Sequence, residues 1–133
     1  MVYGSNERVG RAVRLFRDGL LRTGPNFPGN QPTLPVDDQF IVACPNRQDC
    51  FLCGDVCCNE QISLSIMHTI WLQEHNRLVQ QLGSLNPHWD DERIFQEARR
   101  IVGALIQKIT YVDYLPKVLG HEVFNLVIGP YTG

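Results

Sequence analysis

Five cysteines fall between Cys44 and Cys58, and none lies elsewhere in the chain. Cys50-Phe51-Leu52-Cys53 sets two thiols three residues apart, and Cys57-Cys58 follows after Gly54-Asp55-Val56. Thiols so grouped can ligate a metal, run redox chemistry, or simply cross-link. Zinc needs about four ligands in near-tetrahedral array. Cys50, Cys53, Cys57 and His68 or His75 would supply that number, but the second CxxC knuckle is missing. An iron–sulfur centre lacks its four-cysteine run. A redox CxxC opens a helix after a strand, whereas Gly54 and Asp55 follow Cys53. The residues therefore favour one disulfide with the other thiols reduced, and no metal site. The odd count leaves at least one thiol unpaired.

Glu60 stands just before a long apolar stretch, where an acid favours the positive end of a helix. His68 and His75 are seven apart and share a helix side, an arrangement more typical of packed or hydrogen-bonded histidines than of ligands. His88 and His121 flank turns without convincing partners. No phosphate loop, zinc-protease motif or nucleophile elbow is present. The segment Gly54 to Gln61 is the place where chemistry would sit.

The elements around that segment are mostly helical. ISLSIMHTIWLQEHNRLV, Ile62 to Val79, carries Ile62, Ile66, Ile70 and Leu78 in one stripe, widened by Leu64, Met67, Trp71 and Leu72. This spacing predicts a helix over about 60–82 with a broad buried face. Ile94, Ala98, Ile101, Val102, Leu105 and Ile109 predict another over about 90–111, capped by Asp90 or Asp91. The link holding Gly83 and Pro87 makes the two helices neighbours. A first helix, about 5–21, is expected from Val9, Ala12, Val13 and Phe16, with Ser5 as N-cap. A short turn is expected at 114–119, stopped by Gly120. Between them, 23–49 is proline-rich and reads as an extended connection laid over a core, with a short strand at Phe40, Ile41 and Val42. The tail from Val127 carries no capping feature. Two apolar helices with one modest partner leave faces uncovered.

At 133 residues the chain is one domain or part of one. Twelve basic and fourteen acidic residues give a net charge of -2, which excludes an electrostatic nucleic-acid binder. Arg8, Arg11, Arg14 and Arg17 read as a solvated face. No run approaches membrane-spanning length, and no signal peptide is visible at Met1.

From Cys50 to Gly120 the sequence closely resembles the animal haem peroxidases. CFLCGDVCCNEQ matches their distal loop, GDxRxxEQ, and the following helix matches the long motif MHTxWLxEHNRL. The opening MVYGSNE and the closing IGPYTG fit as well, so the resemblance covers nearly the whole chain. It implies a mainly α fold, a fragment of a larger helical domain that encloses haem. The reaction it implies is reduction of hydrogen peroxide with oxidation of a halide or phenolic donor, in an extracellular or secretory setting. The family's distal histidine, calcium-binding loop and proximal histidine are expected outside the matched stretch.

Carried over residue by residue, the resemblance makes Asp55 the aspartate of the distal loop and Glu60 a glutamate that can form a haem ester. Gln61 matches the glutamine after it. Cys57 stands where the family has its catalytic arginine, and a thiol has neither the fixed donors nor the permanent charge of guanidinium. Gln73 replaces an arginine, and Cys53 and Cys58 replace small residues. Cys44 and Cys50 match a family disulfide. The isolated chain is accordingly expected to be inactive and to hold neither haem nor calcium. Two alternatives stand beside this: a non-catalytic helical piece docking to a protein partner through exposed apolar helix faces, and a thiolate metal-binding module.

Overall fold

The computed structural model describes residues 2–29, 31–39, 41–42 and 50–129. Helix α1 spans Glu7–Val13, and its N-cap is Asn6, not Ser5: the extended Asn6 presents its side-chain oxygen to the Val9 amide at 3.0 Å. The helix stops at Val13, well before the expected Leu21. Arg14 turns extended and pairs with Leu21, Leu15 donates to the Leu20 carbonyl at 2.9 Å, and Arg22 to that of Val13 at 2.9 Å. This backbone reversal needs positive φ at Phe16, Asp18 and Gly19, which a right-handed helix cannot accommodate.

The proline-rich connection contains one small antiparallel pair, β1 (Asn26–Phe27) and β2 (Gln31–Pro32), with Asn26 opposite Pro32. The strand expected at Phe40–Val42 does not form over its described part, and Phe40 lies outside the described residues. Ile41 and Val42 donate their amides to the Asp37 carboxylate at 2.9 and 2.7 Å, so those groups are not available to a ladder. The connection supplies core residues: Leu34 and Val42 are buried with Val9, Val13, Leu21, Leu52, Cys58, Leu72 and Phe95.

A 3₁₀ turn, Val56–Asn59, leads into helix α2, Ile62–Leu85. At about 1.5 Å per residue this helix is roughly 36 Å long. Only its middle is well covered. Leu72, His75, Asn76 and Val79 are buried, whereas Ile62, Ile66, Met67 and Ile70 are exposed, Ile62 by 79 %. The broad buried face expected from the sequence is thus open at its N-terminal end. Helix α3 covers Asp91–Lys108, capped by Asp90, whose carboxylate accepts from the Arg93 amide at 2.8 Å. Val79, Ile94 and Ala98 form a second small core.

Two compact units divide the chain, 1–98 and 99–133. In the second, α3 runs on without a break through a π-helical stretch, Ile109–Tyr114, into α4, Leu115–Leu119. The separate turn expected at 114–119 is therefore the end of one long helix. Pro116, which has no N–H, enters where the wider π turn relaxes the usual ladder. Gly120, at φ +79, ends α4, and an unforeseen helix α5, His121–Val127, packs back on it with Phe124 buried.

Candidate functional site

Asp55 is the pivot of the segment between Cys53 and Gln61. Its extended backbone places a carboxylate oxygen 3.2 Å from the Cys57 amide, capping the 3₁₀ turn. The amide of Cys57, then its thiol, hold the Asp55 carboxyl below its ordinary value. Reciprocally, the bond to Asp55 pushes the Cys57 thiol up.

Three further ties fix the turn. Asn59 forms a paired contact with Phe51, accepting its amide at 2.9 Å and donating to its carbonyl at 3.0 Å. Ser65, in the first turn of α2, donates to the Cys58 carbonyl. Cys53 and Cys58 form a disulfide with Cα atoms 6.6 Å apart. Glu60 follows, exposed, its amide on the Cys57 carbonyl at 3.2 Å, and the exposed, extended Gln61 joins it to α2. The turn therefore presents Glu60 and Gln61 to the surface at the head of the uncovered apolar face of α2.

The disulfides correct the residue-level expectation of a single bridge with reduced thiols. Cys50 is also disulfide-bonded, and Cys57 is the free thiol among the described cysteines. The expected pair Cys44–Cys50 involves Cys44, which lies outside the described residues. With Cys50 and Cys53 oxidised, the zinc set built on Cys50, Cys53 and Cys57 lacks two of its thiolates. Among the described residues, no group of three or more His, Cys, Asp or Glu is placed to hold a metal ion.

The two histidines of α2 serve the scaffold. His75 is completely buried. One ring nitrogen meets the Gly19 carbonyl at 3.0 Å and the other the Tyr3 hydroxyl at 2.9 Å. A neutral ring donating to Gly19 and accepting from Tyr3 satisfies both. Burial, with a smaller push from Arg14 and against the pull of the Gly19 carbonyl, lowers its pKa to about 4. Gly19 in turn donates its amide to Asp91 at 2.7 Å, and Asp91 and Glu92 bind Arg14, whose guanidinium lies 3.8 Å from the centre of the Phe95 ring. Next along, Asn76 grips the Leu21 backbone from both sides, accepting at 2.9 Å and donating at 3.0 Å. His68 meets the Leu64 carbonyl one turn earlier at 2.8 Å. Gln73 donates to the Pro32 carbonyl at 2.8 Å and so ties β2 to the helix. Sequence reasoning missed Tyr3, Asn59 and Asn76 as organisers. Their polar character was visible, but their partners lie up to 72 residues away.

Comparison with known proteins places this geometry in context. Residues 1–132 match the model of the animal haem peroxidase family. Human myeloperoxidase is 49 % identical over 139 residues, covering 98 % of this chain and 19 % of that protein. A human peroxidasin homolog is 45 % identical over 139 residues, covering 99 % of this chain and 9 % of its own length. Among solved structures, peroxidase A from Dictyostelium discoideum superposes with a TM-score of 0.77 at 33 % identity, over 86 % of this chain and 23 % of that one. The chain thus spans a fifth or less of these human relatives, and its mainly helical fold is that of the peroxidase domain. With the family model matched along nearly its whole length, the chain belongs to the animal haem peroxidase family.

Proposed function

We propose that this chain is the distal-loop portion of a haem-dependent peroxidase that reduces hydrogen peroxide while oxidising a halide or phenolic donor in an extracellular or secretory setting. The observation that carries the reading is the placement of Glu60: an exposed carboxylate, on a turn fixed by Asp55, Asn59 and a disulfide, beside an open apolar helix face. A flat apolar macrocycle with a reactive edge suits that surface. Haem, when bound, supplies the redox chemistry. Glu60 anchors its edge, Gln61 lines it, and Asp55 keeps the loop in register.

The same residues fit haem on one side only. His75 has both nitrogens committed, and ligation would strand the Tyr3 hydroxyl or the Gly19 carbonyl in the interior. Cys57, protonated and engaged by Asp55, supplies no permanent positive charge where the family has arginine. Among the described residues, the turn therefore offers an anchoring carboxylate with no guanidinium at the Cys57 position. In a haem-loaded preparation containing this segment, Glu60→Gln abolishes the share of haem that resists acidified organic extraction. Unchanged retention in that variant removes Glu60 from the site.

A second reading rests on the uncovered apolar surface. Ile62 and Leu85 in the first unit, and Leu126 in the second, are 79, 78 and 86 % exposed. Surfaces of this kind serve docking to a protein partner. A monomer that unfolds cooperatively and binds no apolar dye contradicts it.

A further inference from the structure

Three of the five cysteines meet in one turn, and neither reading above uses their sulfur chemistry. We propose that Cys53, Cys57 and Cys58 form a thiol–disulfide exchange centre in which the free Cys57 displaces Cys58 from Cys53, with Asp55 holding the exchange in check. Asp55 touches both cysteines of the exchange. Its carboxylate lies 3.2 Å from the Cys57 amide, and its carbonyl oxygen lies 2.9 Å from the Cys53 sulfur. Cys57 and Cys58 are consecutive on the same 3₁₀ turn. Exchange therefore moves the cross-link by one residue, from a separation of five to four (57 − 53), without opening the fold elsewhere.

The step conserves atoms and electrons. The Cys57 thiol releases its proton and the thiolate attacks the Cys53 sulfur. A Cys57–Cys53 bond forms, the Cys53–Cys58 bond breaks, and Cys58 leaves as a thiolate that takes up a proton. One disulfide and one thiol exist before and after, so no oxidant or reductant is consumed.

Burial sets the resting arrangement. Cys53 and Cys58 are 3 and 0 % exposed, whereas Cys57 is partly exposed. The resting bridge keeps its sulfurs in the core and leaves the thiol at the surface. Only the thiolate attacks, and hydrogen bonding to Asp55, ahead of burial and the Asp55 charge, disfavours it. The exchange also reaches the haem-facing residue, because the Glu60 amide is tied to the Cys57 carbonyl at 3.2 Å. Moving the cross-link onto Cys57 re-tethers the turn that presents Glu60. The sulfur chemistry itself does not require the peroxidase reading to hold.

Incubation of the oxidised protein between about pH 7 and pH 9, followed by acid quenching, maleimide labelling and disulfide mapping by mass spectrometry, tests this. Label is expected on Cys57 at the start. Label on Cys58, with a Cys53–Cys57 bridge, is expected to appear at an initial rate rising about tenfold per pH unit while the thiol remains mostly protonated. Asp55→Asn brings the same product several-fold faster near neutral pH. Cys57→Ser eliminates the Cys53–Cys57 bridge and leaves Cys53–Cys58 intact. Labelling confined to Cys57 throughout the wild-type pH series, or scrambling that exposes Cys50 in place of Cys58, overturns the proposal. The wild-type series decides even if a variant fails to fold.

Discussion

His75 shows how a residue of the family motif can act without touching substrate. Its ring is buried and its pKa is lowered from 6.5 to about 4, so the unfolded chain binds a proton that the folded chain refuses. Stability is therefore full above about pH 6.5, falls as the pH drops toward 4, and then levels. At about 1.4 kcal/mol per unit the loss is ~3 kcal/mol. The lowered carboxyls of Asp55 and Glu74 lose their contributions mainly below their ordinary values of 3.8 and 4.5. Urea midpoints measured across pH 4–7 should show this slope in wild type and not in His75→Asn. Asn76→Ala leaves the Leu21 amide and carbonyl unpaired in the interior and should cost ~2–3 kcal/mol in the same assay. The sequence identifies a histidine of packing type here, but it does not show Tyr3 or Gly19 as its partners. Nor does it reveal the Cys53–Cys58 bridge, because five nearby cysteines leave the pairing open until the turn geometry is known. The roles proposed for Asp55, Glu60 and Gln61 rest on the motif, since a lone carboxylate before a helix looks like ordinary end-of-helix charge.

Apolar periodicity located α2 and α3 within a few residues, because both are long and strongly patterned. It failed where local backbone chemistry decides. The first helix ends early at a reversal needing positive φ at Phe16 and Asp18, and an aromatic residue such as Phe16 gives no sign of it in the sequence. Helix α5 is only seven residues long, and its Val123, Phe124 and Val127 pattern is too brief to separate from a tail. The π stretch before Pro116 turns what looks like a break into a continuation. Gly19 makes the cost of the reversal measurable. An added Cβ would lie 2.8 Å from the Ile94 side chain and 2.9 Å from the Phe95 amide, at φ +75. Gly19→Ala should therefore destabilise by about 2–4 kcal/mol. Gly103, inside α3 with open space around it, provides the opposite case, and Gly103→Ala should stabilise by about 0.5–1 kcal/mol. Thermal melts of the two variants check both signs.

Over the whole chain, a share of the peroxidase fold carries many exposed apolar residues. The sequence makes the shortage of facing partners legible, but not its location. The structure places it on the N-terminal part of α2 and on the exposed positions of α5, while Leu72, His75, Asn76 and Val79 in the middle of α2 are buried. The central claim is that these residues form an anchoring wall for haem without a complete site. Titration of haem into the purified 133-residue chain, read in the Soret region alongside peroxide-dependent oxidation of a phenolic donor, tests it most directly. The account predicts no saturable Soret shift and no donor oxidation above free haem. A stoichiometric complex with a sharp Soret band and turnover of peroxide would contradict it.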